Sequence, residues 1–226
     1  MIVWLASYPR SGNTLLRTLM WHCFGINTYS LYDDKDDIGA DAELSSIVGH
    51  VRHDLDQAEF YTKAKESEST YFVKTHDPPA DNAKAIYIVR DGRSAVVSYF
   101  HYIKAFNPGA ATTIRDVIVG ECMFGAWSDH FEAWHSRKRP HTLLLRYDDL
   151  ARNPANGLDL ISAFVERPII NPRPPSFEEL KTVNSKFFRS GGDVTNIGEL
   201  TGETLDVFWS LHGRLMVELG YVNDLQ

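Results

Sequence analysis

The stretch "IVWLASYPRSGNTLLRTLM", residues 2–20, changes its periodicity in the middle. Ile2 to Ser7 is a continuous run of strand length, whereas Leu15, Leu16, Leu19, Met20 and Cys23 recur at the spacing of one helix face. Between them stand Pro9, Arg10, Ser11, Gly12, Asn13 and Thr14. A simple turn needs no cation. A helix start leaves backbone N–H groups unpaired and carries a positive partial charge, so phosphate is its natural ligand. Gly12 permits close backbone approach, Arg10 can fork onto phosphoryl or sulfuryl oxygens, and Ser11 and Thr14 add hydroxyl donors.

Three further runs match the first: "TYFVKT" (70–75), "AIYIVR" (85–90) and "HTLLLRY" (141–147). They are mostly continuous rather than alternating, which predicts strands covered on both faces of a parallel sheet. Helical patterns lie between them. Val96, Val97, Phe100 and Ile103 share a face, Asn153 and Pro154 open a helix, Ser176 to Glu179 is a capping box, and Leu205 to Leu219 forms a last stripe ending before Gly220. The alternation predicts an α/β fold: a single domain over residues 1–226 with a central parallel sheet flanked by helices.

Composition narrows the functional classes. The 226 residues are 43% hydrophobic and 23% charged, the profile of a globular chain with a sizeable core. A net charge of -7 argues against broad affinity for nucleic acid or an anionic membrane, so any anion must be captured locally. The acidic run from Asp33 to Glu43 reads as a solvated surface segment. No apolar stretch approaches the roughly 20 residues of a membrane span. Cys23 and Cys122 show no metal-ligand spacing, and with no signal-peptide pattern at the N-terminus the expected location is cytoplasmic.

In an open parallel sheet, ligands bind beyond the carboxyl ends of the strands. That rule brings together Ser7 to Thr14, then Lys74, Thr75 and His76, then Arg90, Asp91 and Gly92. Asp91, Ser94 and Ser98 fall on one helix face, so Ser98 can look toward a ligand that Arg90 also reaches. In the competing arrangement, Arg90 pairs with Asp91 or Asp148 and Ser98 is a packing residue. Two phosphate sites on one edge imply a ligand with two anionic ends.

The glycine loop departs from G-x-x-x-x-G-K-[ST]. No glycine opens it, Asn13 stands where lysine is required, and the cation precedes Gly12. A magnesium-dependent nucleotide kinase is therefore a second choice, beside a noncatalytic nucleotide-binding module.

Five blocks, "SYPRSGNT", "VKTHDPP", "YIVRDGRSAVVSYFHY", "FGAWSDHFEAWHSRKRPHTLLLRYDDLARNP" and "FRSGGD", occur in order over most of the chain. Together they resemble the sulfotransferases that use 3'-phosphoadenosine 5'-phosphosulfate (PAPS). The resemblance implies a P-loop-like phosphosulfate loop formed by Arg10, Ser11, Gly12, Asn13 and Thr14, with Arg10 in place of the usual lysine. It implies that Lys74 and His76 are the lysine and catalytic histidine of the family's K-T-H block. Arg90 and Ser98 match the pair on the 3'-phosphate, Arg189 and Gly191 the late R-x-G that closes over it, and Tyr147 a tyrosine near the adenine. Leu15 stands where many cytosolic members carry an adenine-stacking tryptophan, and "RSGGD" is shorter than the family's loop and lacks its lysine. The dimer motif of the animal enzymes is not recognisable, so the sequence sets no oligomeric state.

The implied reaction moves a sulfuryl group from PAPS to an acceptor hydroxyl, leaving 3'-phosphoadenosine 5'-phosphate (PAP). A neutral His76 acts as base, Lys74, Arg10 and the loop amides stabilise negative charge, and no metal is required. The acceptor class stays open among small molecules and natural products. Tyr99, Tyr102, Phe106, Phe124, Trp127, Phe131 and Trp134 supply aromatic material near the expected pocket or in the core, His101 and Tyr102 are candidate pocket residues, and His22 and His130 read as packed or surface histidines.

Overall fold

Ile2–Ala6 forms strand β1, and all five of its residues are buried. A strand buried on both faces and paired on both edges occupies the middle of a sheet. In this computed structural model, which describes residues 1–32, 38–134, 139–183 and 197–221, β1 does so. It pairs in parallel with β3 (Tyr71–Thr75) from Ile2 opposite Tyr71 to Ala6 opposite Thr75, and with β4 (Ala85–Val89) from Trp4 opposite Ala85 to Ala6 opposite Tyr87. Outside these lie β2 (Tyr29–Ser30) and β5 (Thr142–Arg146), giving the all-parallel order β2-β3-β1-β4-β5. The expected strands differ from the observed ones by a residue at their ends. The two-residue β2 is an addition: its residues are too few and too polar to show a strand pattern.

The period of two along β1 and β4 divides the core. Ile2, Trp4, Ala6, Ala85, Tyr87 and Val89 join one apolar cluster, and Val3, Leu5, Ile86 and Ile88 join the other. Helices α3 (Gln57–Glu66), α4 (Gly92–Phe106), α5 (Ile114–Val119), α6 (Trp127–Trp134) and α10 (Gly202–Glu218) contribute to the first cluster. Helices α1 (Asn13–Phe24), α7 (Tyr147–Arg152) and α8 (Pro154–Val165) contribute to the second. Two short helices, α2 (Ala42–Val48) and α9 (Phe177–Val183), complete the set. The expected caps are in place: the Asn153 side chain accepts from Ala155 N–H, and Ser176 and Glu179 cap one another at the start of α9.

From β1 the chain runs out to the edge at β2, returns to β3, and then crosses to β4 on the other side of β1. The connections leaving β1, β3 and β4 therefore meet at one point on the carboxyl edge, where the winding of the sheet reverses. Such a reversal opens a crevice for a ligand.

Candidate active site

The connection from β1 to α1 turns on two left-handed residues, Arg10 at φ 63° and Gly12 at φ 104°. Gly12 occupies the cap position of α1, and no side chain bonds the amides there. The helix thus presents its first N–H groups to the crevice, the arrangement that holds phosphate. A side chain at position 12 would collide with the Tyr147 ring, so glycine is needed both for its backbone and for its size. The Ser11 hydroxyl is buried in the loop without a hydrogen-bond partner among the described residues, which fits a site completed by an acceptor oxygen of a ligand. Asn13 does something else. Its amide nitrogen donates to the Leu5 carbonyl at 2.8 Å and to the Ser7 hydroxyl at 3.3 Å, so the side chain staples α1 to the end of β1.

On the β4 side, Arg10 Nε donates to Ser98 Oγ at 3.2 Å, and its guanidinium lies 5.5 Å from the centre of the Tyr102 ring. Arg90 donates through Nη1 to the Arg10 carbonyl at 3.3 Å and lies 4.8 Å over the Tyr147 ring. Asp91 is engaged elsewhere: it caps α4 and receives a forked bond from Arg93, with Nη2 to Oδ2 at 2.7 Å. Asp148 accepts from the Tyr221 hydroxyl at 2.5 Å. Arg90 and Ser98 both contact the loop through Arg10.

His76 closes the β3 side, and nearly every polar atom it owns is occupied. Its N–H donates to the Tyr32 hydroxyl at 2.7 Å, and its carbonyl accepts from His130 Nε2 at 2.8 Å. The imidazole Nδ1 lies 2.8 Å from the Ser7 carbonyl and 3.3 Å from the Ser7 hydroxyl. A carbonyl only accepts, so Nδ1 carries the ring hydrogen and Nε2 keeps its lone pair. Burial holds the His76 pKa well below the ordinary histidine value; the charges of Lys74 and, more weakly, His130 and Arg10 act in the same direction, while the bond to Ser7 opposes them. The ring is therefore neutral near pH 7.

His130 is a buried member of this assembly. Its Nε2–H donates to His76, so its Nδ1 accepts from the Tyr87 hydroxyl at 2.9 Å. Burial pushes its pKa down to about 4. Trp134 Nε1 donates to the next carbonyl in the loop, that of Asp77, at 2.9 Å. Helix α6 thereby grips the backbone that carries the imidazole.

The remaining sequence candidates divide. Lys74 Nζ lies 5.1 Å over the Tyr32 ring, and Phe124 packs edge-on to His76 at 5.6 Å between ring centres. His101 pairs with Glu199 at 2.7 Å on the surface, His22 bonds the Ile47 carbonyl at 2.9 Å, and Trp127, Phe131 and Trp134 are core residues. Cys23 and Cys122 are free thiols. Arg189 and Gly191 lie outside the described residues. Tyr32 and the roles of Ser7 and His130 in holding His76 were missed by sequence reasoning. Ser7 and His130 stood inside recognisable blocks, whereas Tyr32 follows a strand too short to be read.

The chain is an α/β protein with a parallel sheet, in which a glycine loop runs from the central strand into a helix and Lys74 and Arg90 stand at the ends of the two neighbouring strands. The sulfotransferase domain profile matches residues 2–198, and the chain belongs to that family. Mouse sulfotransferase 1E1 is 26% identical over 179 residues, 72% of this chain and 58% of that protein. Mouse sulfotransferase 1B1 is 29% identical over 117 residues, 46% of this chain and 39% of the relative. The chain thus spans less than two thirds of the length of these relatives. Among solved structures, mouse sulfotransferase SULT7A1 complexed with PAP superposes with a TM-score of 0.70 at 20% identity, covering 97% of this chain and 86% of that one. Retinol dehydratase in complex with androsterone and PAP gives 0.65 at 18%, covering 100% and 82%. Among the described residues, no helix is long and apolar enough to cross a membrane.

Proposed function

We propose that this chain is a PAPS-dependent sulfotransferase acting on the hydroxyl of a small-molecule acceptor, with His76 as the base. The observation that carries the reading is the hold on His76: Nδ1 lies 2.8 Å from the Ser7 carbonyl, which assigns it the ring hydrogen and leaves Nε2 as an acceptor, while burial and the charge of Lys74 lower the ring's pKa. In this reading His76 Nε2 takes the hydroxyl proton while the acceptor oxygen bonds to sulfur. The bond from sulfur to the bridging phosphate oxygen breaks, and Lys74, Arg10 and the first amides of α1 stabilise the electron pair left on the phosphate. Arg90 and Ser98, joined to the loop through Arg10, suit the second phosphate of the donor. Anionic donor in the crevice offsets the charge of Lys74 and Arg10, which raises the basicity of His76 toward its task.

The inward turn of Asn13, where a nucleotide kinase places its phosphate lysine, favours sulfuryl transfer over magnesium-nucleotide chemistry. The family membership and the likeness to PAP-complexed structures support the same donor. We place the enzyme in the cytoplasm, a reading supported by its two free thiols. The test is transfer of labelled sulfate from PAPS to a panel of hydroxyl acceptors, with thermal-shift comparison of PAP against ATP with and without magnesium. Transfer together with stabilisation by PAP is expected. Stabilisation by magnesium-ATP alone points to a kinase, and PAP binding without transfer to any acceptor points to a noncatalytic module.

A further inference from the structure

Tyr32 stands two residues beyond the end of β2, yet it touches the whole "KTH" segment at the end of β3. Register puts it there: Ser30 pairs with Lys74, and Leu31 N–H donates to the Lys74 carbonyl at 3.0 Å. The Tyr32 hydroxyl accepts from His76 N–H at 2.7 Å and lies 3.3 Å from Thr75 Oγ1. Its ring runs nearly parallel to the imidazole, 20° between planes at 6.3 Å, and its face carries the Lys74 ammonium at 5.1 Å. One side chain therefore contacts the proton acceptor through oxygen and the cation through carbon.

We propose that Tyr32 is a positioning residue for the reaction, its hydroxyl fixing the backbone of His76 and its ring fixing Lys74 beneath the donor. The proposal rests on the sulfotransferase reading. The hydroxyl has the larger effect. Without it the His76 amide loses its partner, and the imidazole can drift from the Ser7 carbonyl that sets its tautomer. A shift of about 1 Å in a reacting group is enough to cost on the order of a hundredfold in rate. The ring contributes a cation–π contact, which is modest where solvent reaches it. Other charged or titratable groups facing the imidazole are Lys74 from β3, Arg10 from the loop after β1 and His130 from α6. The Asp77 carboxylate follows in the same loop, near enough to help push the Tyr32 phenol up, although burial is the main cause.

Two variants separate oxygen from ring. Tyr32→Phe keeps the packing and the cation–π face. It is expected to lower kcat about tenfold to a hundredfold with PAP affinity unchanged by calorimetry. Tyr32→Leu is expected to show the same loss and to weaken PAP a further threefold or so. A spectroscopic readout needs no acceptor: nitrogen NMR of His76 in the PAP-bound protein should show the Nδ1–H tautomer in the wild type and a mixture in Tyr32→Phe. An unchanged tautomer in Tyr32→Phe overturns the proposal, as does a kcat equal to wild type. A changed tautomer in a protein that transfers no sulfate leaves Tyr32 as the holder of His76 and removes the sulfotransferase reading instead.

Discussion

The two sides of the crevice are built on opposite plans. On the loop side, Arg10 is exposed and Arg90 half-buried, a helix cap carries no side-chain bond, and one hydroxyl is buried without a partner among the described residues. On the histidine side, His76 is held at its N–H, its carbonyl and its Nδ1 by residues from three other segments. In the proposed reading, the uncapped amides and the Ser11 hydroxyl serve an anion that brings its own oxygens. In the same reading His76 is the base, which has to present one lone pair in one direction, and its N–H, carbonyl and Nδ1 are all engaged. The contrast predicts where affinity and rate separate: a change at Arg90 should act on donor binding, and a change at His76 on turnover.

The sharpest way to break this division is His76→Ala. It is expected to lower turnover by roughly 10²- to 10⁴-fold while PAP binds as in wild type. Activity within a few-fold of wild type would remove His76 as the base. Next is Arg90→Ala, for which loss of a charge-assisted contact predicts a loss of affinity for PAP of about tenfold to a hundredfold, and little change for adenosine 5'-phosphate. Equal losses in calorimetry would put Arg90 on the other phosphate or on neither.

Gly12→Ala sharpens the loop side. The left-handed backbone and the Tyr147 ring both oppose a Cβ, so stability should fall by about 1–3 kcal/mol by denaturant titration, with PAP affinity falling too. A variant as stable as the wild type would show that the loop relaxes freely. The smallest effect is a slope with pH. His130 titrates at about 4 in the folded protein and near 6.5 when unfolded, so only the unfolded chain takes up its proton between these values. Its stabilising effect is complete above pH 6.5 and is lost as pH falls toward 4, by about 1.4 kcal/mol per pH unit. His130→Gln should flatten that part of the stability curve; an unchanged slope would assign it to other groups, such as His76 and His212, which are also held low by burial.

The loop side was legible because its chemistry is local. Arg10, Ser11 and Gly12 are consecutive, and their meaning follows from the strand before them and the helix after them. Asn13 shows the limit of such reading: its place in the loop is plain, but its inward turn depends on the Leu5 carbonyl and the Ser7 hydroxyl. The histidine side was legible only at His76 and Lys74. Tyr32 and His130 lie 44 and 54 residues from His76, and no periodicity connects them to it.

By itself the sequence determined the parallel α/β fold, the glycine loop at a helix start and the residues gathered on the carboxyl edge, because strand and helix periods and turn chemistry act over a few neighbouring residues. The tertiary structure alone decided which nitrogen of His76 keeps its lone pair, that Asp91 and Asp148 bond Arg93 and Tyr221 respectively, and that Tyr32 faces Lys74. Those outcomes depend on hydrogen bonds between segments brought together by the strand order, and their direction is fixed only when the chain is packed.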